Sequence, residues 1–328
     1  MPERATAVQA AQIGVETTPG TAVTASKRLL SVGFKQGIKV DTKAEMSQGF
    51  KLPTAVSIGK DWTEGTFDGY AGYNDLAYLL SSVLLGVTPS GAGVDKTWSF
   101  VPAVRSSDVP KTFTLELGDA NTRFSRTTHN VVTDLSLSWA KENIALSGSY
   151  MGRSLTDQTG ALGAATDVAN VIMQPGDTDF YLDTTSGGLG TTRLTRVIKA
   201  KLDIKGRWSP SFFADSSEDS FTTITEKGLD VTLGMTLAAD AAGMALLTPY
   251  KAGQILYPRW RTVGPATGGA SPHTFTFDMA GRITKAFEPL ADVDGIYAYD
   301  LEMKAVLDPG WSGGRGLVAT LINTLGAL

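Results

Sequence analysis

The chain contains no cysteine among its 328 residues, which excludes a disulfide framework and any thiolate-based metal or redox chemistry. Folding in a reducing cytoplasm agrees with that absence. Histidine is almost as scarce. His129 and His273 are the two present, and neither has a partner at metal-ligand spacing, so each is expected to be a polar or hydrogen-bonded surface group. No uninterrupted apolar run approaches the ~20 residues of a membrane-spanning helix. The opening stretch MPERATAVQAAQIGVETTPGT lacks the basic start and apolar core of a signal peptide. The chain is therefore expected to be soluble when made, without membrane insertion. Alternating strands would suit an outer-membrane barrel, but no export signal accompanies them. Charge of one sign is lacking too. With 29 basic and 33 acidic residues, a net charge of −4 gives no positive field that would grip nucleic acid.

The usual catalytic motifs are missing as well. There is no P-loop and no nucleophile elbow. SGGLGTT at Ser186–Thr192 has the look of a phosphate-cradling loop but lacks its lysine and full spacing, so it reads as a glycine-rich turn. DVDG at Asp292–Gly295 could open a calcium loop, but Asp300 falls too near to close one, and a tight turn is expected instead. GDTDF at Gly176–Phe180 and DSSED at Asp215–Asp219 supply the paired acids that glycoside hydrolysis needs. Acids clustered in loops are more often solvated surface. The tryptophans, Trp62, Trp98, Trp139, Trp208, Trp260 and Trp311, are spread along the chain rather than gathered into a sugar platform, which favours packing roles. The expectation is a protein that is not an enzyme and holds no cofactor or metal.

What is present is a hydrophobic content of 42%, 36 glycines and many Thr and Ser, the composition of a mainly β chain able to bury a sizeable core. One helix stands out. In TFDGYAGYNDLAYLLSSVLLGV, Leu76, Leu79, Leu80, Val83 and Leu84 recur at i, i+3, i+4, i+7 and i+8, a single apolar stripe. Asn74 is placed to cap it, Asp75 to complement its dipole, and Gly86 to end it in a left-handed conformation. Residues 1–28 read as an N-terminal arm. Strand alternation spans Leu30 to Val40, and Asp41–Asp61 follows as a long polar loop, a feature that is usually functional. KTFTLELGD sets Phe113, Leu115 and Leu117 opposite Thr112, Thr114 and Glu116, a half-buried strand. Further strands carry Leu135, Leu137 and Trp139, then Ile144, Leu146 and Tyr150.

The second half repeats the order of events. A strand with Ile198, Ala200, Leu202 and Ile204 leads to a second polar loop, Ser209–Gly228, and then to a strand aligning Leu229, Val231, Leu233, Met235 and Leu237. AADAAGMALLTPY gives a short helix that Pro249 would stop. Strands aligning Phe275, Phe277 and Met279, and Tyr297, Tyr299, Leu301 and Met303, complete the copy. The chain thus divides into an arm (1–28) and two units of like pattern, 29–165 and 166–328.

The order IGVETTPGTAVTASKRLL, GTFDGYAGYNDLAYLLSSVLLG and KTFTLELGDANTRFSRTTHNVVTDLSLSWAKENIALSGSYMG resembles the major tail tube protein of long-tailed (siphovirus-type) bacteriophages. The resemblance implies a β-sandwich or partial barrel with a flanking helix, whose inner strands join those of other copies into a ring-wide β-barrel. Rings would stack into a hollow virion tail tube through which DNA passes. A duplicated chain would form trimeric, pseudo-hexameric rings; a degenerate second copy would leave hexamers open. The stripe of Leu76, Leu79, Leu80, Val83 and Leu84 would cap the outer side of the lumen-lining sheet. By the same resemblance, Asp41, Lys43, Glu45, Met46, Phe50, Leu52 and Pro53 would contact the adjacent ring, and Phe212, Phe213, Asp215, Glu218 and Asp219 would do so for the second half. Tape-measure, terminator and distal tail proteins would be partners. Glu116, Asp134, Asp203, Asp230, Asp278 and Glu302 alternate with apolar residues on strands and are candidates for a lumen or solvent face. A decoration or baseplate protein of the virion, or a carbohydrate-binding β-sandwich, would share the composition.

Overall fold

The computed structural model describes residues 9–119, 123–215, 218–286 and 291–328. The chain is mainly β. In order, β1 (Ala10–Val15), the two-residue β2 (Lys27–Arg28), and the long pair β3 (Val32–Glu45) and β4 (Ala55–Tyr70) precede helix α1 (Asp75–Val83). Then come β5 (Lys96–Phe100), β6 (Phe113–Gly118), β7 (Arg123–Trp139), β8 (Ile144–Gly152), β9 (Thr156–Thr159) and β10 (Thr166–Asp167). The second half runs β11 (Thr178–Asp183), β12 (Arg193–Leu194), β13 (Val197–Lys205), β14 (Trp208–Ser211), β15 (Thr223–Glu226) and β16 (Asp230–Ala238). Helices α2 (Ala241–Met244) and α3 (Leu247–Lys251) lead into β17 (Tyr257–Ala266), β18 (Pro272–Met279), β19 (Gly281–Lys285), β20 (Ala291–Val293), β21 (Ile296–Ala305) and β22 (Leu317–Asn323).

The strands form one continuous eight-stranded antiparallel wall, β3-β4-β8-β7-β13-β16-β21-β19, with β20 extending the β19 edge along β21. Its two halves, one on each side of the middle, have the same order. Taken in chain sequence, the first half's four strands lie first-second-fourth-third, and so do the second half's. The outer layer repeats as well: β2-β1-β6-β7-β9 in one half, β12-β11-β17-β18-β22 in the other. In each half the third wall strand begins in the outer sheet and ends in the wall. β7 does so as one strand, pairing β6 up to Asn130 and β8 from Val131, with His129 at a left-handed φ of 54° at the corner. β18 and β19 do so through the fully buried Ala280. Such corners let one strand serve two packed layers.

The core fills the space between wall and outer sheets. Leu135, Leu137, Leu146, Leu202, Ile204, Val231 and Leu233 from the wall meet Trp98, Trp260, Phe275 and Phe277 from the outer layer. Helix α1 lies inside this space rather than on top of it. The predicted stripe, Leu76, Leu79, Leu80, Val83 and Leu84, is in the main core, but Tyr78, Ser81 and Ser82 on the other side are buried too. Tyr78 packs with Ile13, Leu29, Phe113 and Val168, and Ser82 Oγ accepts the Val132 amide at 2.9 Å.

Several local expectations are corrected. Asn74 makes no capping bond; its amide donates to Ala169 O at 2.8 Å. Asp75 is buried, accepting from Ser31 N (2.9 Å) and Ser31 Oγ (2.5 Å), and burial raises its carboxyl pKa. The helix ends at Val83 with Leu84 right-handed, and Gly86 instead donates its amide to Val109 O. Pro249 does not stop the second helix but lies in α3, whose first turn has no use for the missing amide. Residues 10–15, assigned to an arm, are β1, hydrogen-bonded along β6; the first eight residues lie outside those described. β6 is buried on both faces, not one, because its polar face is covered too, Thr114 by Glu16 and Val23 and Glu116 by Arg126.

A candidate assembly surface

The face of the wall turned away from the core is set by strand alternation. It carries Lys35 and Lys39 of β3, Glu64, Thr66 and Asp68 of β4, Ser147 and Ser149 of β8, and Asp134, Ser136 and Ser138 of β7. Across the middle junction it continues with Lys201 and Asp203 of β13, Asp230, Thr232 and Thr236 of β16, and Asp300, Glu302 and Lys304 of β21. Two open hollows of about 580 and 570 Å³ lie on this face, one over β3, β4 and β8, the other over β13, β16 and β21. The surface is polar and carries charges of both signs, with Trp62 opposite Lys39 at its ribbon end.

Four of the six candidate acids share this face. Asp134 accepts from Ser149 Oγ (2.5 Å) and Gly206 N (3.0 Å). Asp203 is held by Ser136 and by Lys201 at 3.1 Å. Asp230 meets Lys304 at 3.0 Å, and Glu302 accepts from Thr284 Oγ1 at 3.1 Å. Lys35 and Lys39 are similarly paired with Asp68 (2.8 Å) and Glu64 (3.7 Å). Glu116 and Asp278 are elsewhere. Both are buried in the outer sheets, Glu116 against Arg126 at 2.7 Å and Asp278 against Arg259 at 2.6 Å. Alternation with apolar neighbours told which side of a strand they occupy, not that another layer covers that side.

Both lateral edges of the wall are open. Among the described residues, β3 pairs with β4 alone, and β19 and β20 pair with β21, apart from one bridge between Gly281 at the start of β19 and Leu256. Unpaired strand edges of this length are templates for pairing with another chain.

Residues 41–60, expected as a loop, are instead the far end of the β3–β4 hairpin. Beyond the Lys39–Trp62 pair no third strand among the described residues accompanies the ribbon, and its own ladder continues through Thr42–Ile58 to Glu45–Ala55. Six residues of Val40–Glu45 at ~3.3 Å each carry it roughly 20 Å beyond the wall. Its tip is closed by Thr54 N to Glu45 O and Phe50 N to Ser47 O, with Gly49 at φ 89°. Asp41, Lys43, Glu45 and Pro53 are exposed, Lys43 and Glu45 pairing at 2.9 Å. So are large apolar groups: Met46, Phe50 (63%), Leu52 (75%), Val56 and Ile58 (74%). An apolar surface of this kind on a projecting ribbon marks a contact site.

The second expected loop behaves differently. At Gly206 (φ 64°) the β13–β16 hairpin bends, and β14–β15 folds back against the body. Arg207 is 1% exposed and bonds Asp108 and Glu226, the latter at 2.8 Å. Trp208 Nε1 donates to Ser82 O (2.9 Å) and Val83 O (3.2 Å) at the end of α1, and its ring packs with Val131 and Met151. Phe212 packs inward against Trp62 and Phe221, Phe213 is exposed, and Glu218 approaches Arg153 at 3.8 Å. Asp215 is exposed, and its amide donates to Phe213 O. Asp219 accepts the Asp61 amide on its carbonyl at 3.1 Å. Ser216 and Ser217 of the DSSED cluster lie outside the described residues.

The remaining motifs resolve into structure. Both histidines are buried, not superficial. His129 packs on Phe221 at 5.2 Å, and burial, with the Arg153 charge added, pushes its pKa down to about 4. Beside it the buried Glu16 carboxylate accepts four bonds, from Gly20 N, Thr112 Oγ1, Thr114 Oγ1 and His129 N, at 2.7 to 3.1 Å. His273 stacks on Tyr73 at 5.5 Å. The SGGLGTT turn does cradle an anion, but it is the chain's own Asp183, which receives Gly190 N, Thr191 Oγ1 and Thr192 N at 2.8 to 2.9 Å. DVDG is the β20–β21 turn, with Asp294 and Gly295 both left-handed. In GDTDF, Asp179 pairs with Arg193. Among the described residues no group of three or more His, Cys, Asp or Glu is placed to hold a metal ion, and no helix is long and apolar enough to cross a membrane.

No protein-family model and no curated protein matches the chain.

Proposed function

We propose that the chain is a self-assembling structural subunit of a hollow tube, of the kind that forms phage tails, built by edge-to-edge closure of its wall into rings and by stacking of those rings. The observation that carries this reading is the middle junction of the wall. There the last-placed strand of the first unit, β7, pairs antiparallel with the first strand of the second, β13. The free β19/β20 edge is the second unit's counterpart of β7, and the free β3 edge is the first unit's counterpart of β13. A copy that set its β3 beside the β19 of a neighbour would repeat, between chains, a junction each chain already makes within itself. Closure removes both edges.

Three such chains give a barrel of roughly 24 strands. At ~4.8 Å spacing and ~40° tilt its backbone is about 48 Å across, and about 38 Å after side chains on both walls. That admits a nucleic-acid duplex. The polar face would line the lumen, and its ion-paired lysines suit passage, since each free cation meeting a phosphate adds salt-dependent grip. Like-to-unlike stacking propagates as a filament. The β3–β4 ribbon supplies one side of that contact. At the other end of the same strands Leu30, Tyr70, Ile296 and Tyr297 are exposed to receive it. In this reading the chain is an internal duplication that functions in the virion, and tape-measure, terminator and distal tail proteins are its partners.

Negative-stain electron microscopy of the purified protein tests this. Hollow rings or tubes with three chains per ring are expected, and deletion of Thr42–Ser57 is expected to leave rings that do not stack. Compact monomers under all conditions, or normal tubes from the deletion variant, would refute the corresponding step.

A further inference from the structure

We infer that each chain stacks through one arm, the β3–β4 ribbon, and that the β14–β15 hairpin is the buttress that aims it; the inference rests on the tube reading above. The two hairpins are built alike. Beyond the wall the first is offset by one residue, Asp41 facing Gly59 and Lys60 between the Val40–Asp61 and Thr42–Ile58 pairs. The second has the same offset, residues 206–207 facing 227–229 between the Lys205–Asp230 and Trp208–Glu226 pairs. Their surfaces differ. The first displays large apolar groups on a free ribbon, whereas in β14 and β15 and the described residues between them Phe213 is the one large apolar group exposed to a comparable degree.

The second hairpin is committed to the body. Arg207 neutralises two carboxylates inside the fold, and Trp208 satisfies carbonyls at the end of α1 that have no partner within the helix. Swinging it outward would keep the Arg207–Glu226 pair, which lies within the hairpin, but would break the bonds that tie Arg207 to Asp108, the Asp108 amide to Glu226, and Trp208 to Ser82 O and Val83 O.

What the folded-back hairpin touches is the root of the ribbon. The Phe212 ring meets Trp62 edge-on at 5.8 Å, Lys60 Nζ sits 4.8 Å above the same ring, and the Asp61 amide bonds Asp219 O. Phe212 is in turn backed by Phe221, which is fully buried. Lys60, Asp61 and Trp62 are the residues at which the ribbon leaves the wall. Phe212 is therefore a positioning residue for a contact made elsewhere, and a ring of these chains presents one bridge per chain, not two.

The absence of native cysteine makes the test clean. In the full-length protein, Asp61→Cys and Asp219→Cys are joined by a short bis-maleimide, and Phe212→Ala is made separately. The bridged protein is expected to form tubes of unbridged length. Phe212→Ala is expected to keep the thermal midpoint and form rings, with at least tenfold fewer tubes. Bridged protein arrested at rings would show that the hairpin must swing out and overturn the inference, as would undiminished stacking by Phe212→Ala. A spin label on Ser57→Cys reads the brace on the monomer, independently of assembly. Greater label mobility in Phe212→Ala supports the buttress, and equal mobility overturns it even where no ring forms and the tube reading fails.

Discussion

Replacing His129 by asparagine should flatten the acid limb of the stability curve. His129 is buried, its ring lies on Phe221, and the Arg153 charge is close by. The nearby Glu16 carboxylate would favour an imidazolium, but four hydrogen bonds already engage it. The folded protein therefore holds the ring neutral, with a pKa of about 4 against 6.5 for the free side chain. The unfolded chain binds the proton first, so stability is full above pH 6.5, falls as pH drops, and levels off below about 4. Across the whole window this is about 3 kcal/mol, and between pH 7 and 4.5 about 2 kcal/mol. Asparagine tolerates the left-handed φ of 54° at this position and cannot titrate. Urea unfolding of the monomer at pH 7 and 4.5 should show the wild type losing about 2 kcal/mol more than His129→Asn. Equal losses, within about 0.5 kcal/mol, would refute the burial argument.

Two further substitutions probe the packing. Leu80→Ala removes a fully buried side chain from the wall-to-helix core and should cost about 3–5 kcal/mol, read as a lower urea midpoint at unchanged slope. A loss under about 1 kcal/mol would mean that α1 is not held as described. Arg207→Met leaves Asp108 and Glu226 facing each other without their cation and should cost about 3–5 kcal/mol. Adding Asp108→Asn and Glu226→Gln should recover most of it, and failure to recover would place the cost in the Arg207 stacking over Trp208 instead.

The strands of the wall were legible because one face is core and the other is not. Leu233, Met235 and Leu237 alternate with Thr232, Gly234 and Thr236, and period two announces itself. The α1 stripe was legible for the same reason, although the burial of Tyr78, Ser81 and Ser82 was not, since nothing local says that a second layer lies behind them. The ribbon was hidden because both its faces are exposed, so no burial imposes alternation on 40–61 and only the backbone ladder defines it. The fold-back of the second hairpin was hidden by distance. Trp208 finds its acceptors 125 and 126 residues away and Arg207 finds Asp108 99 residues away, contacts that no local window contains. The free edges, likewise, are properties of what fails to pair, which only the assembled sheet reveals.

β5 belongs by sequence to the first half, yet it is the edge of the second half's outer sheet, where it pairs with β22. Trp98 of β5 donates to Asn323 Oδ1 at 2.9 Å, and Asn323 donates to Tyr73 O at 3.0 Å, just before α1. The chain is thus laced shut by its last strand. During synthesis the first half must wait, with Trp98 and Phe100 uncovered, until residue 323 has left the ribosome. A chain broken off before β22 lacks that lacing and keeps Trp98 and Phe100 exposed as an open apolar seam, the kind of surface that invites aggregation and proteolysis.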